Sequence, residues 1–226
     1  MASTPYPPVS SDELLSAARE FIRREAQALT NLPEQLDGSF ARAVTAILCL
    51  HGKVITTGTG TSGIMAERLA HLLAVTGTPA FYLPCLDALH GGMGSITPED
   101  LVIALSKGGE SAELVELVSR LRERQVRVFA ITERPESSFA QAAEDVVTVR
   151  TEPADADAGG LIAMGSTLVA GAWGDALAYV LMAVRGHSWE EVVDVHPGGI
   201  VGQQTELPER LDFSGGSSVD FSGGGA

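Results

Sequence analysis

The sequence predicts an α/β protein with a parallel sheet covered by helices on both faces. Short runs rich in Val, Ile and Leu recur along the middle of the chain and are followed by helical patterns; they lie at 53–57, 79–83, 101–105, 126–131 and 146–149. Continuous apolar strands that alternate with helices are typical of a parallel sheet buried on both sides. With 226 residues and 45% hydrophobic content, the chain is long enough for one such domain with a well-buried core.

Two amphipathic helices are predicted before the first strand. Residues 10–13 (SSDE) supply capping groups for a helix over about 13–29, which has apolar residues at helical spacing. Pro33 starts a second predicted helix that runs to about Leu50. These apolar faces exceed what one small sandwich covers, so we expect part of them to be buried against another subunit.

The remaining predicted elements follow the strands. Helices are expected over 64–75 and 112–124, then a long apolar helix over 163–184 and a short one near 188–192. The last segment, 203–226, contains the sequence DFSGG twice and is too rich in glycine to form a core. We predict a flexible tail there and no second folded domain after Gly202.

Composition excludes several classes of function. The net charge of −14 opposes binding to nucleic acid, because the field around the protein repels phosphates. The only two cysteines, Cys49 and Cys85, form no CxxC pattern, so neither a zinc site nor a disulfide framework is indicated. No uninterrupted apolar run reaches about 18 residues, and the N-terminus lacks a basic region followed by an apolar one. We expect a cytoplasmic protein that does not bind a membrane.

Two glycine- and hydroxyl-rich loops carry the main functional signal. The first loop (58–63, GTGTSG) and the second loop (106–111, SKGGES) each follow an apolar strand and precede a helix. This order directs free backbone N–H groups and a helix N-terminus toward an anion. Parallel strands deliver such loops to one edge of the sheet, so Ser62, Ser106 and Ser111 are expected to converge on one phosphate. For either loop alone, a tight turn that binds no ligand explains the sequence equally well.

The first loop also has the GxGxxG spacing of dinucleotide-binding folds. A lone match of that kind is weak, and no acidic residue ends a second strand about 20 residues later. The spacing of a P-loop with its lysine is missing. The hydroxyls of Thr59, Thr61 and Ser62 suit a monophosphate better, because they can donate to its oxygen atoms.

Five segments together give the chain a resemblance to the sugar isomerase (SIS) domain family, and within it to the arabinose-5-phosphate isomerases. They are 58–63, 88–94 (ALHGGMG), 106–111, 131–138 (ITERPESS) and 196–199 (HPGG). The match covers residues 35–202 and leaves 1–34 as an N-terminal helical segment. It implies a three-layer α-β-α sandwich with a five-stranded parallel sheet, assembled as a homodimer or homotetramer. Many of these isomerases carry CBS repeats after the sugar domain; the chain stops where those would begin, so nucleotide regulation through them is not expected.

The resemblance implies an aldose–ketose isomerisation of a phosphorylated sugar that needs no metal or organic cofactor. The reaction requires a phosphate anchor, help with ring opening and a base that moves a proton between C1 and C2. Glu110 matches an acidic residue of the family and is the candidate base; His90 and His196 match its two active-site histidines. The predicted substrate-binding residues are Thr59, Thr61, Ser62, Ser106, Lys107, Ser111, Ser166 and Thr167.

Structural explanations compete for several of these residues. Glu110 precedes a predicted helix, whose dipole stabilises a carboxylate whatever the function. Ser166 and Thr167 begin the long helix and are equally explained as an N-terminal cap. Asp155 aligns loosely with another family carboxylate, but a solvated acidic loop is as good an explanation there.

Thr61 marks the main departure from the family, whose first loop usually reads GxGKSG. Losing that lysine removes a charge-assisted contact worth roughly 1.5–3 kcal/mol. Lys107 in the second loop is a candidate to replace it, and a different substrate is another explanation. The alternative function is a non-catalytic sugar-phosphate-binding or sensing SIS module, although no basic helix-turn-helix precedes residue 35.

Overall fold

The computed structural model describes residues 9–211 and contains a five-stranded sheet, all of whose neighbouring strands are parallel. The strand order is β2-β1-β3-β4-β5. The strands are β1 (Val54–Gly58), β2 (Ala80–Tyr82), β3 (Leu101–Leu105), β4 (Arg127–Thr132) and β5 (Asp145–Thr148). Each lies within one or two residues of the apolar run that predicted it, so the sheet is confirmed.

Eight α-helices surround the sheet in the part of the chain that the structure describes. They are α1 (Ser11–Thr30), α2 (Gly38–Leu48), α3 (Gly60–Val75), α4 (Cys85–Leu89), α5 (Ala112–Glu123), α6 (Ser138–Ala142), α7 (Gly165–Arg185) and α8 (Trp189–Asp194). Ser10 caps α1 through a capping box with Glu13, as its sequence indicates. The second helix begins later than predicted: Pro33–Gln35 forms only a 3-10 turn. Asp37 then caps α2, because its carboxylate accepts the Ser39 N–H at 2.7 Å.

The helices form two layers, one on each face of the sheet. Residues of α1, α2, α3 and α7 share one apolar cluster, and residues of α4, α5 and α6 share the other. Strand β3 shows the alternation directly: Leu101, Ile103 and Leu105 belong to the first cluster, and Val102 and Ala104 to the second. The three-layer α-β-α sandwich is therefore confirmed.

Helix α7 spans the full height of the sandwich. By length and composition it could cross a membrane, but 44% of its most apolar 18-residue window is buried inside the fold. Trp173 is 1% exposed and packs edge-to-face on Phe40, with ring centroids 5.9 Å apart. At its C-terminus, Arg185 donates to the carbonyl oxygens of Gly77 (3.1 Å) and Ile47 (3.0 Å), at the edge of the sheet where the strands begin. These contacts are those of a core helix.

The predicted tail, 203–226, lies mostly outside the described residues, which end at 211. Within 203–211 the chain contacts the folded domain: the Trp189 indole N–H donates to the Glu209 carbonyl oxygen at 2.9 Å. Arg210 donates to the Gly186 carbonyl oxygen at the same distance.

Candidate functional site

A cavity of about 50 Å³ opens at the edge of the sheet where the strands end, over β1, β3 and β4. After β1 the chain continues to β2, which lies on one side of β1. After β3 it continues to β4, which lies on the opposite side of β3. The direction in which strands are added therefore reverses between β1 and β3. Ligands bind at such switch points in open α/β sheets. The cavity is lined by Thr61, Ser62, Met65, Leu105, Ser106, Lys107, Ile131, Thr132, Glu133, Val149, Ala163, Ser166, Thr167, Val169 and Ala170.

The first loop brings the start of α3 tightly against the end of β1. A Cβ atom on Gly58 would lie 2.9 Å from the Ser62 carbonyl carbon, and one on Gly63 would lie 3.0 Å from the Gly58 oxygen. Glycine is needed at both positions because the backbones approach so closely. Helix α3 has no side-chain cap. Its first N–H groups therefore lack a side-chain acceptor at the edge of the cavity.

The second loop is held by the last residue of β4 and by the residue that follows it. The Lys107 carbonyl oxygen accepts hydrogen bonds from the Thr132 hydroxyl (3.1 Å) and from the Glu133 N–H (3.2 Å). Within the loop, the Gly109 N–H donates to Ser106 Oγ at 3.1 Å, and Ser106 is buried. Gly109 has φ +68°, a conformation that glycine adopts without strain.

The two loops contact each other directly. The Thr59 hydroxyl donates to Ser111 Oγ at 3.2 Å, beside the cavity. Helix α5 begins after Ser111 and, like α3, has no side-chain cap. Six of the eight predicted substrate-binding residues line the cavity, and Thr59 and Ser111 form the bridge next to it.

The third wall is the N-terminus of α7, which is capped by Asp157 rather than by its own hydroxyl groups. This carboxylate is fully buried and accepts the N–H groups of Met164 (2.8 Å) and Ser166 (2.9 Å). It also accepts a hydrogen bond from Lys107 Nζ. Burial raises the pKa of Asp157, but these hydrogen bonds outweigh it, and the pKa lies below its ordinary value of 3.8.

Sequence reasoning missed Asp157 and considered Asp155 instead. Asp155 lies on the surface, where its carboxylate is 3.5 Å from Arg24 of α1. The alternation of acidic and small residues over 154–158 does not separate the two, because residues two positions apart repeat the same pattern. Neither hydroxyl of α7 caps the helix: Thr167 donates to the Met164 carbonyl oxygen (2.6 Å), and Ser166 Oγ makes no hydrogen bond within 3.5 Å, although it helps to lower the pKa of the nearby Asp157 carboxylate.

None of the three predicted catalytic residues is among those that line the cavity. Glu110 lies on the second loop, exposed and outside the cavity lining, where it accepts the Ser138 N–H at 3.4 Å. His90 ends α4, is exposed and lies outside the lining as well. His196 follows α8, with Nδ1 2.6 Å from the Val192 carbonyl oxygen. Helix α7 begins at the cavity wall and is 21 residues, or about 30 Å, long; His196 comes after its C-terminal end and is not among the lining residues.

The charges of the cavity wall are nearly balanced. Lys107 is the one cation and Glu133 the one anion among the lining residues. Glu133 accepts the Thr151 N–H at 3.1 Å, and Lys107 is paired with Asp157. Attraction for an anion must therefore come largely from hydroxyls and uncapped helix N-termini. Residues 9–211 contain no group of three His, Cys, Asp or Glu side chains placed to hold a metal ion.

Comparison with known proteins agrees with this geometry. The SIS domain model matches residues 47–178, which is more than half of the chain. The chain belongs to the SIS domain family. The match includes both glycine-rich loops and the first two thirds of α7, so the resemblance seen in the sequence is confirmed.

Curated relatives of this SIS domain include two arabinose 5-phosphate isomerases. KdsD of Yersinia pestis is 36% identical over 191 residues, which are 84% of this chain and 58% of that protein. GutQ of Salmonella typhi is 38% identical over 192 residues, 85% of this chain and 60% of that protein. The chain thus spans about three fifths of the length of these relatives.

Two solved structures share the SIS fold closely. A proposed sugar-phosphate isomerase of Listeria monocytogenes has a TM-score of 0.78 at 31% identity, covering 84% of this chain and all of that one. A protein of E. coli CFT073 in complex with A5P has the same TM-score and coverage at 29% identity.

Proposed function

We propose that this SIS domain is a phosphosugar aldose–ketose isomerase similar to the arabinose 5-phosphate isomerases. One observation carries the proposal: two uncapped helix N-termini and the five hydroxyl side chains of the two glycine-rich loops meet at or beside one cavity at the switch point of the sheet. That arrangement suits one phosphate attached to a small polar molecule. We infer the class of reaction from the names of the relatives, which are arabinose 5-phosphate isomerases.

The phosphate is bound between the two loops. Ser62, Ser106 and Ser111 supply hydroxyl groups, and the first amides of α3 and α5 supply N–H groups along the axes of two helix dipoles. These donors are uncharged, so the site recognises the phosphate by many hydrogen bonds rather than by a strong positive charge.

Glu110 is the base that transfers the proton. In the open-chain aldose it removes the hydrogen at C2, the electrons of that C–H bond form an enediol(ate), and a proton returned to C1 gives the ketose. Glu110 adjoins Ser111 of the phosphate site and is exposed, so its carboxylate can meet a bound sugar. His90 and His196 assist ring opening and move protons between the oxygens of C1 and C2.

The active unit is a homodimer or homotetramer in which His196 comes from a neighbouring subunit. The position of His196 beyond the C-terminal end of α7 and outside the cavity lining supports this proposal. Apolar side chains also remain exposed on the helical layer: Leu14 and Ile22 of α1 and Ile64 of α3 are 60%, 61% and 65% exposed. Association would cover them.

Proton exchange tests the enzyme directly. Incubated with arabinose 5-phosphate in D₂O, the protein should introduce deuterium at C1 or C2, which NMR detects. Unphosphorylated arabinose is the control and should exchange at background rate. Binding of arabinose 5-phosphate or other sugar phosphates without any exchange would refute the isomerase and leave a sugar-phosphate sensor.

Thr61→Lys tests what the altered first loop does. Thr61 is exposed and lines the cavity, so a lysine there can reach a ligand. Higher activity on a pentose 5-phosphate would mark an isomerase of the usual kind that has lost one contact. Loss of an existing activity would show that Thr61 serves a different substrate.

A further inference from the structure

Lys107 and Asp157 form an ion pair in the wall of the cavity, in which the lysine is partly exposed and the aspartate is buried. The Lys107 side chain is 34% exposed and lines the cavity, whereas the Asp157 carboxylate behind it is fully buried. Asp157 is further fixed by two backbone N–H groups of the segment that begins α7. The backbone of Lys107 is fixed as well, through its carbonyl oxygen. Both ends of this lysine are therefore held.

The pairing changes what Lys107 offers to a ligand. The ammonium group has three N–H donors, of which Asp157 takes one and leaves the others for the cavity. The two opposite charges lie in contact, so the pair has no net charge and attracts a distant dianion only weakly. Its remaining donors suit uncharged oxygen atoms, such as hydroxyl or carbonyl groups.

Ser166 supplies a second unused polar group on the same wall. This residue is 8% exposed and lines the cavity. Its Oγ is buried and makes no hydrogen bond within 3.5 Å among the described residues, although the hydroxyl lies near enough to the Asp157 carboxylate to help lower the pKa of that group. Rotation about its Cα–Cβ bond would turn this hydroxyl toward a ligand oxygen, which would give it a full hydrogen bond. Its backbone N–H is bound to Asp157, so the hydroxyl and Lys107 share one anchor.

We propose that Asp157 is a positioning residue that holds Lys107 at the cavity wall, and that Lys107 and Ser166 bind uncharged oxygen atoms of the sugar rather than its phosphate. The class of ligand rests on the proposed function. The cavity then has two parts: the glycine-rich loops recognise the phosphate, and the wall of Lys107 and Ser166 recognises the sugar that carries it.

The first test removes both charges and keeps the shapes, in the double variant Lys107→Gln/Asp157→Asn. Binding of arabinose 5-phosphate and of inorganic phosphate is measured by calorimetry. We expect the Kd for arabinose 5-phosphate to rise at least tenfold and that for inorganic phosphate to stay within twofold. Equal weakening for both ligands would make Lys107 a phosphate ligand and overturn the proposal. Unchanged binding of both would overturn it too.

The single variant Asp157→Asn tests positioning. It leaves Lys107 charged but unanchored, so inorganic phosphate should bind more tightly, most clearly at low salt, while the advantage of arabinose 5-phosphate over inorganic phosphate falls at least fivefold. A merely structural role would weaken both ligands together and lower Tm. Asp155→Asn is the matched control, because its carboxylate meets only Arg24 on the surface, and it should change neither binding constant.

Ser166→Ala keeps the proposal testable if Asp157 variants fold poorly. It removes a hydroxyl that makes no hydrogen bond within 3.5 Å, so we expect a nearly unchanged Tm, unchanged binding of inorganic phosphate and several-fold weaker binding of arabinose 5-phosphate. Unchanged binding of the sugar phosphate would remove Ser166 from the wall. All these readouts are ratios of binding constants, so they stand even if deuterium exchange shows that the protein is not an isomerase.

Discussion

At the scale of single residues, Glu110 separates binding from chemistry. Glu110→Gln keeps the shape and an oxygen that can accept the Ser138 N–H, which Glu110 accepts at 3.4 Å. It removes the proposed base, so we expect kcat to fall by roughly 10²-fold or more, with KM changed less than threefold. Steady-state kinetics with arabinose 5-phosphate measures both.

Glu113→Gln is the matched control, because Glu113 is an exposed carboxylate in the first turn of the adjoining helix α5. It should retain full turnover. If Glu110→Gln were as active as wild type, Glu110 would have only the role of accepting a hydrogen bond at the start of α6.

Ser111 gives a second prediction at this scale, about phosphate recognition. Its Oγ accepts the Thr59 hydroxyl at 3.2 Å, beside the uncapped start of α5. Ser111→Ala should weaken binding of arabinose 5-phosphate by roughly five- to fiftyfold, the effect of one or two lost hydrogen bonds. Calorimetry measures it, and unphosphorylated arabinose should bind poorly to both forms. Equal affinity of wild type for both sugars would contradict a phosphate site.

At the scale of elements, the second loop depends on its conformation at Gly109. This glycine has φ +68°, and a Cβ atom there would lie 2.0 Å from Ser137 Oγ. Gly109→Ala must displace the loop, so we expect unfolding free energy to fall by about 1–3 kcal/mol and sugar-phosphate binding to be lost. Gly108→Ala is the control, since nothing lies within 4 Å of its Cβ position. Urea denaturation compares them; equal stability of both variants would contradict the steric argument.

The elements also show what local sequence can predict. The strands and long helices follow from periodicity, because burial of a continuous apolar face dictates both. The start of α2 was wrong by about five residues, since proline at position 33 fitted a helix start and the Asp37 cap was overlooked. Asp157 was missed for another reason: its partner Lys107 is 50 residues away. Only the fold brings the C-terminal end of β3, which precedes Lys107, next to the start of α7.

At the scale of the whole molecule, buried carboxylates link stability to pH. Asp100 is 2% exposed and accepts the backbone N–H groups of Lys53 (2.9 Å) and Thr97 (2.8 Å). Burial alone would raise the pKa of Asp100. The hydrogen bonds from these N–H groups and from the Lys53 ammonium lower it by more, so the pKa lies below its ordinary value of 3.8. The stabilisation is complete above pH 3.8 and is lost as pH falls toward the folded-state pKa.

We therefore expect the midpoint of urea denaturation to fall steeply below about pH 4. Asp100→Asn should lower stability at pH 7 by about 1–3 kcal/mol and flatten this decline, because the titrating group is gone. Asp12→Asn, at an exposed position in the first turn of α1, should leave the decline unchanged. An unaltered pH profile in Asp100→Asn would show that other groups cause the decline.

Assembly into an oligomer is our proposal at the scale of the whole molecule, and it can be tested by mixing two inactive variants. The cavity and Glu110 lie at one edge of the sheet, and His196 lies beyond the far end of α7. If one site joins Glu110 of one subunit with His196 of its neighbour, Glu110→Gln and His196→Ala should each be inactive alone.

A mixed dimer then contains one wholly wild-type site and one doubly altered site. After random exchange of subunits, about one quarter of wild-type activity should return, since half of the dimers are mixed and half of their sites are intact. Light scattering before and after mixing verifies the oligomer. A monomer at micromolar concentration, or mixing that restores no activity, would place the whole reaction within a single chain.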